Sequence, residues 1–397
     1  MHPAVQALGR CAGALGLLLL SGCSGLPVSD DFARSSRAVI TTSPADGDQN
    51  VPLDGSVRVK VKKGRLVSVR LTDRGGNQLN GRISRDGTEW TPDAGLALAT
   101  PYRLDTVAKD AWGLRSVSHI AFTTVTPEHT FAAFFSPEDG STVGVGMPLS
   151  LHFSRPITDR VAVERGIGVD VLPPVPVRGR WFGDRRLDIR PEGFWQPGTR
   201  VTLSLRLRDA QGAPGVYGIQ RKDVHFTVGR AQISTVDLDD HTLTVRQGSQ
   251  VLRTLPVSAG GSGHPTYLGT MVVSEKFEAT RMNSHTVGLG DEYDIKDVPH
   301  AMRLTQSGTF LHGNYWSPRE VFGSANTSHG CIGLEDAKGG DDEGPAGWLY
   351  THSLVGDVVQ VRGKEGVQVL ADNGLNGWNL PWAQWTTVIG PAAPPVH

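Results

Sequence analysis

The feature that most constrains this chain is a pentapeptide that occurs twice, each time ahead of a run in which apolar and polar residues alternate. Ser43-Pro44-Ala45-Asp46-Gly47 returns as Ser136-Pro137-Glu138-Asp139-Gly140. After the first copy Val57, Val59 and Val61 alternate with Arg58, Lys60 and Lys62; after the second, Leu149, Leu151 and Phe153 alternate with Ser150 and His152. A period of two sends one set of side chains into a core and the other into water, which is the pattern of a half-buried strand. A second echo follows. Lys109-Asp110-Ala111-Trp112-Gly113 recurs as Arg208-Asp209-Ala210-Gln211-Gly212, the latter closing the regular strand Val201, Leu203, Leu205, Leu207. The units end on Phe122-Thr123-Thr124-Val125 and Phe226-Thr227-Val228. Repeats of ~100 residues built from short strands and turn signals form small β-sandwiches. We assign 38–125 and 126–230 as two immunoglobulin-like domains without the usual disulfide. Abundant glycine (49) and proline (25) beside 5 methionines agree with a mainly β chain joined by tight turns. Neither repeat clusters His, Cys or carboxylates at ligand spacing, so the pair reads as a stalk, with wall binding as the second reading.

Charge excludes some partners. A formal charge of -1 offers no basic excess for nucleic acid. Of three cysteines, Cys11 and Cys23 lie in an N-terminal stretch whose apolar run, Ala12 to Leu20, is too short to span a bilayer and ends in Leu20-Ser21-Gly22-Cys23. This resembles a bacterial lipobox. Residues 1–23 are therefore expected to be a lipoprotein signal peptide with Cys23 as the lipidated first residue, and the polar stretch 24–37 a tether. The mature protein would be exported and lipid-anchored to the outer face of the cytoplasmic membrane, facing the cell wall. It would keep one thiol, Cys331, which cannot form an intramolecular disulfide.

A third unit, 231–362, opens with strands marked by Ile233, Val236 and Leu238, then Leu243 and Val245, then Val251 and Leu255, with Asp239-Asp240 and Gln247-Gly248 as turns. A glycine-rich segment, Ser258 to Gly263, reads as a flexible loop before the strand Met271-Val272-Val273. Trp348-Leu349-Tyr350 reads as helical. A Trp-rich subdomain and tail fill 363–397, where the spacing of Trp378, Trp382 and Trp385 suits a helix face packed in a core.

Chemistry concentrates in Phe310-Leu311-His312-Gly313-Asn314-Tyr315-Trp316-Ser317 and Thr327-Ser328-His329-Gly330-Cys331-Ile332-Gly333-Leu334. A free thiol becomes a nucleophile when a nearby imidazole takes its proton. His312, at the end of the apolar run Thr309-Phe310-Leu311, is the better placed base. Gly330 lets backbone N–H groups approach a bound carbonyl. A zinc site from His312, His329 and Cys331 would need Asp341 or Asp342 as a further ligand, and no Cys-x-x-Cys or His-Glu-x-x-His accompanies it. No metal and no cofactor is expected.

The histidine followed by Ser328-His329-Gly330-Cys331 resembles the L,D-transpeptidase catalytic domain, the YkuD fold, in its actinobacterial form with two immunoglobulin-like domains in front and a Trp-rich C-terminal subdomain behind. The resemblance implies Cys331 as nucleophile, His312 as its base, the Gly313 carbonyl orienting His312, and His329 shaping the site. It implies an oxyanion hole from the N–H groups of Gly330 and Cys331 with the Tyr293 hydroxyl, and substrate contacts at Met282, Tyr293, Ser307, Gly308, Trp316 and Ser328. The implied partners are peptidoglycan stem peptides, a donor tetrapeptide and an acceptor stem, with carbapenems as inhibitors. The implied reaction is a 3,3 cross-link made through a thioester with release of D-Ala. An L,D-carboxypeptidase and a non-catalytic wall-binding scaffold are the alternatives. Three departures stand out: Gly333 where the family usually has Asn, Val287 where relatives can have an aromatic residue, and an acidic insertion, Lys338 to Gly344, expected to be a solvated loop.

Overall fold

The computed structural model describes residues 35–391 except Leu289 and Glu365. Residues 1–23, expected to be a signal peptide ending at Cys23, and most of the expected tether lie outside that range. No helix among the described residues is long and apolar enough to cross a membrane.

Residues 38–125 form a sandwich of two four-stranded sheets. One orders Val39–Ser43, Arg58–Lys62, Glu89–Pro92 and Gly81–Ile83; the other orders Gln78–Leu79, Arg65–Asp73, Pro101–Lys109 and Arg115–Thr123. Val57, Val59 and Val61 are buried between them, as the alternation requires. The second sandwich pairs a sheet of Ala133–Ser136, Leu149–Phe153, Arg186–Pro191 and Val177–Phe182 with one of Ser141–Val143, Arg221–Val228, Arg200–Arg206 and Ile167–Leu172. The repeated pentapeptide builds the same turn twice. In the first unit Ala121 N–H donates to Asp46 Oδ1 at 2.8 Å while Gly47 N–H donates to the Ala121 carbonyl at 2.7 Å. In the second, His225 and Asp139 with Gly140 make the same two bonds at 2.8 and 2.7 Å. Glycine is required at the turn because φ is +83° at Gly47 and +76° at Gly140.

One expectation fails in an informative way. Ser150, expected in water, is fully buried, and the strand Arg186–Pro191 is buried along its whole length. Its outer face is covered by the C-terminal segment. Arg186 donates to the carbonyls of Asp372 and Gly374, Asp188 accepts from Arg186 and from Ser150 Oγ, and Thr387–Ile389 joins the sheet beside Val177–Phe182. The tryptophans do not share a helix face. Gly377–Asn379 and Trp382–Gln384 are two short 3-10 turns parted by Pro381, which cannot supply a helical N–H. Instead the Arg190 guanidinium lies 4.4, 5.4 and 4.3 Å from the rings of Trp378, Trp382 and Trp385. Trp385 is completely buried.

The third unit stacks two sheets. The first runs Gln250–Pro256, Thr242–Gln247, Gln232–Asp237, Val358–Arg362, Gly269–Val272; the second runs Glu275–Asn283, Asp294–Arg303, Phe310–Asn314, Ile332–Glu335. The hairpins fall where the turn residues placed them, and Pro345–Thr351 is helical. This unit is packed onto the second sandwich. Gly144 and Gly146 N–H groups donate to the carbonyls of Val355 and Gly356 at 2.8 and 2.9 Å. A methyl group on Gly144 would lie 2.2 Å from the Asp357 nitrogen, so only glycine permits the approach. Asp357, paired with Arg230 at 2.9 Å, closes the junction, and burial raises its carboxyl to about 6. Val272 and Val358 belong to the sandwich's own apolar cluster.

Candidate active site

The strand Phe310–Asn314 runs parallel to Ile332–Glu335, with Leu311 opposite Ile332 and His312 opposite Gly333. Leu311, Ile332 and Leu334 enter the core. With a period of two, His312 and Gly333 face the other way, and Cys331, two residues before Gly333, shares that side. Both line a cavity of about 340 Å³.

Each partner is held by its backbone surroundings. His312 Nδ1 lies 2.9 Å from the Gly313 carbonyl. A carbonyl only accepts, so Nδ1 carries the proton and Nε2 is left with its lone pair. Trp316 stacks on the imidazole at 5.6 Å and 14°. Burial lowers the His312 pKa below the ordinary imidazole value, opposed by the Gly313 carbonyl and the Asp336 carboxylate. The Cys331 thiol donates to the Gly308 carbonyl at 3.4 Å. Burial pushes it up to about 11, against a backbone hydrogen bond from Phe310 and the charge of Arg303. The resting pair is thus neutral thiol and neutral imidazole.

The loop carrying the thiol is pinned. Gly330 has φ +111°, which an L side chain rarely adopts. Ser328 Oγ donates to the Cys331 carbonyl at 2.6 Å and accepts from Gly330 N–H at 3.1 Å. Thr266 Oγ1 donates to the Gly330 carbonyl at 3.0 Å and accepts from Gly260 N–H at 2.8 Å. The glycine-rich segment is bridged to the motif: Ser258 pairs with Gly333 and Gly260 with Ser328. Gly260 serves close approach, since a methyl there would lie 2.1 Å from the His264 carbonyl.

Among the residues singled out from sequence, Met282, Tyr293, Trp316, Ser328 and His329 line the same cavity as Cys331 and His312. Burial, with the charges of Cys331 and Glu292, raises the Tyr293 hydroxyl. Of the expected oxyanion donors, the Gly330 N–H is engaged by Ser328 Oγ at 3.1 Å. Gly308 borders the site through its carbonyl. Ser307 does not line the cavity; it is exposed and bound to Asn373 of the C-terminal segment at 3.0 and 2.8 Å. Cys23 lies outside the described residues.

Several neighbours had no sequence signal. Asn314 fills the space beside Gly333, where an added methyl would lie 3.2 Å from its amide nitrogen, and its side chain braces Trp316 and Ser317. Behind the strand, the fully buried Asp336 carboxylate bonds His300 Nδ1 at 2.7 Å and sits against Gly313. The acidic insertion is exposed at Asp341 to Glu343, as expected, and from it the solvated Asp342 lies 3.1 Å from His300 Nε2. At the rim, Glu292 lies 3.3 Å from both His264 and His329. The contacts of His300 and of Glu292 join distant segments, which is why periodicity and motif spacing could not reveal them.

A thiol and a singly anchored imidazole sharing one cavity, on a mainly β fold behind two sandwiches, define a cysteine–histidine site of the kind suited to acyl transfer. Comparison with known proteins gives the family. A bacterial Ig domain model matches residues 48–211 and an L,D-transpeptidase catalytic domain model matches 231–361. The chain is 33% identical to L,D-transpeptidase 2 of Mycobacterium tuberculosis over 87% of its own length and 83% of that protein's. It is 30% identical to L,D-transpeptidase 5 of the same organism over 99% and 86%. A solved structure of an LD transpeptidase in complex with imipenem superposes with a TM-score of 0.49 at 32% identity, covering 59% of this chain and 100% of that one. The chain belongs to the L,D-transpeptidase family.

Proposed function

We propose that this protein forms 3,3 cross-links in peptidoglycan through a cysteine thioester. Cys331 attacks the carbonyl carbon of the L,D bond of a tetrapeptide stem, and its proton passes to His312 Nε2. The developing oxyanion is held by the Cys331 N–H and the Tyr293 hydroxyl. On collapse the C–N bond breaks and His312 returns the proton to the departing D-Ala nitrogen. A side-chain amine of a second stem then attacks the thioester; His312 takes its proton and the thiol is regenerated. The observation that carries this reading is the His312–Gly313 bond, which fixes the tautomer and leaves Nε2 as base on the side of the sheet that Cys331 occupies. A raised thiol pKa suits a proton transfer that occurs with attack rather than a standing thiolate. Thioesters favour amines as acceptors, so cysteine fits transfer. The junction between the second sandwich and the catalytic unit supports a stalk that presents the site to the wall, and the Leu20-Ser21-Gly22-Cys23 stretch supports a lipid anchor on the outer face of the cytoplasmic membrane.

The test is product analysis with a tetrapeptide stem substrate. Cross-linked dimer with free D-Ala is the expected result. Tripeptide alone means that water resolves the thioester and the protein is a carboxypeptidase. Unchanged substrate over a wall that the protein still binds means a scaffold. Incorporation of labelled palmitate into wild type but not Cys23→Ala checks the anchor.

A further inference from the structure

Three side chains whose donor atoms take no part in the acyl-transfer scheme converge at the rim of the Cys331 cavity. His264 directly follows the glycine-rich segment, Glu292 comes from the approach to the strand Asp294–Arg303, and His329 from the motif loop. His264 Nε2 and His329 Nε2 each lie 3.3 Å from Glu292 Oε2, and the donor atoms all fall within 4.8 Å of one another. Zinc bonded at about 2.0 to 2.1 Å to tetrahedral ligands requires them to stand roughly 3.3 to 3.4 Å apart. Two of the three edges already have that length. The third closes by rotation of imidazoles that are 36% and 42% exposed and so free to adjust.

We propose that His264, Glu292 and His329 form a binding site for a divalent transition cation, Zn²⁺ by its chemistry. Two imidazoles and one carboxylate match the borderline ligand set that zinc favours, whereas magnesium and calcium call for oxygen donors throughout. Three protein ligands leave a fourth position open to water, and the exposed rim gives the ion a path in. The site adds Glu292 to the glycine-rich segment and motif loop already bridged at Gly260 and Ser328, and it does so beside Tyr293, whose ring lies 5.2 Å from that of His329. It is separate from the Cys331–His312 pair and stands whether or not that pair transfers acyl groups.

The test is calorimetric titration of ZnCl₂ into the untagged full chain carrying Cys331→Ser, so that the thiol cannot ligate. One Zn²⁺ per chain is expected. Glu292→Gln and His264→Ala, each in that background, should weaken binding by roughly tenfold or more, since even outer partners of metal ligands matter that much. Unchanged melting temperatures of the two exposed-rim variants show that the fold is retained. Absence of Zn²⁺ binding means that the three side chains form only a hydrogen-bonded clasp and overturns the proposal. Binding that survives both substitutions overturns it equally.

Discussion

Replacing Gly313 by alanine tests the support of the base without touching any group in the cavity. The added methyl would lie 2.0 Å from Asp336 Oδ2 and 2.8 Å from its Cβ and Cγ. Asp336 cannot retreat. Its side chain is fully buried, Oδ1 accepts from the N–H groups of Ala337 and Asp341 at 2.8 Å each, and Oδ2 holds His300. The backbone at 313 must therefore shift by about 1 Å, carrying with it the carbonyl that orients His312. Overpacking of this kind costs about 1–3 kcal/mol, and a misplacement of about 1 Å in a catalytic constellation lowers rates by roughly 10²-fold. The assay is the rate at which a carbapenem adds to Cys331, followed by intact mass, beside thermal unfolding. Gly313→Ala should fall by about that factor, and should fall much less when introduced into an Asp336→Ser background, where the obstructing carboxylate is gone. Wild-type acylation with unchanged melting, or an equal loss in both backgrounds, would refute the reasoning.

Further outcomes follow from the same contacts. Asp336→Asn removes a carboxylate that raises the His312 pKa, so the acid limb of the acylation rate should move to lower pH. Gly330→Ala forces an alanine to φ +111° with nothing nearer than 3.7 Å to strike; the cost is conformational, about 1–3 kcal/mol, and should appear as lost stability together with slowed acylation. Trp385→Ala empties the space of a fully buried ring and should cost about 3–5 kcal/mol, read as earlier melting of the second sandwich together with the catalytic unit. His312 is held with its pKa below the unfolded value of about 6.5. The unfolded chain then binds the proton more readily, so stability is full above that value and falls as pH drops toward the folded pKa. Urea midpoints at several pH values should show this slope in wild type, and His312→Gln should lack that part of it.

What could be read from sequence was whatever a local period or a contiguous motif records. Val57, Val59 and Val61 declared their face because Arg58, Lys60 and Lys62 on the opposite side of their strand stay exposed. Leu149, Leu151 and Phe153 declared theirs equally well, yet Ser150 misled, because the segment covering it lies more than two hundred residues further along the chain. The apolar run before His312 is continuous, so its strand was legible and His312 does fall within Phe310–Asn314; that Cys331 sits just before the strand paired with it was not, because the pairing joins two separate segments. Asp336, His300 and Asn314 left no mark; a buried carboxylate behind a glycine becomes a support only once two strands are in register. The spacing of the tryptophans suggested a helix, but Pro381 interrupts it and the buried Arg190 gathers the rings instead. Ser307 was expected at the substrate and is held by Asn373, a contact that only the packing of the C-terminal segment creates.

In the proposed reaction the Cys331 sulfur, deprotonated by His312, becomes acylated. Incubation with a tetrapeptide stem donor lacking any amine acceptor, quenching in acid, and mass mapping of the peptides tests it directly. A tripeptidyl mass is expected on the peptide containing Cys331, absent in Cys331→Ala and strongly reduced in His312→Ala. An unmodified Cys331 peptide while D-Ala is released, or an adduct that persists in Cys331→Ala, would contradict it.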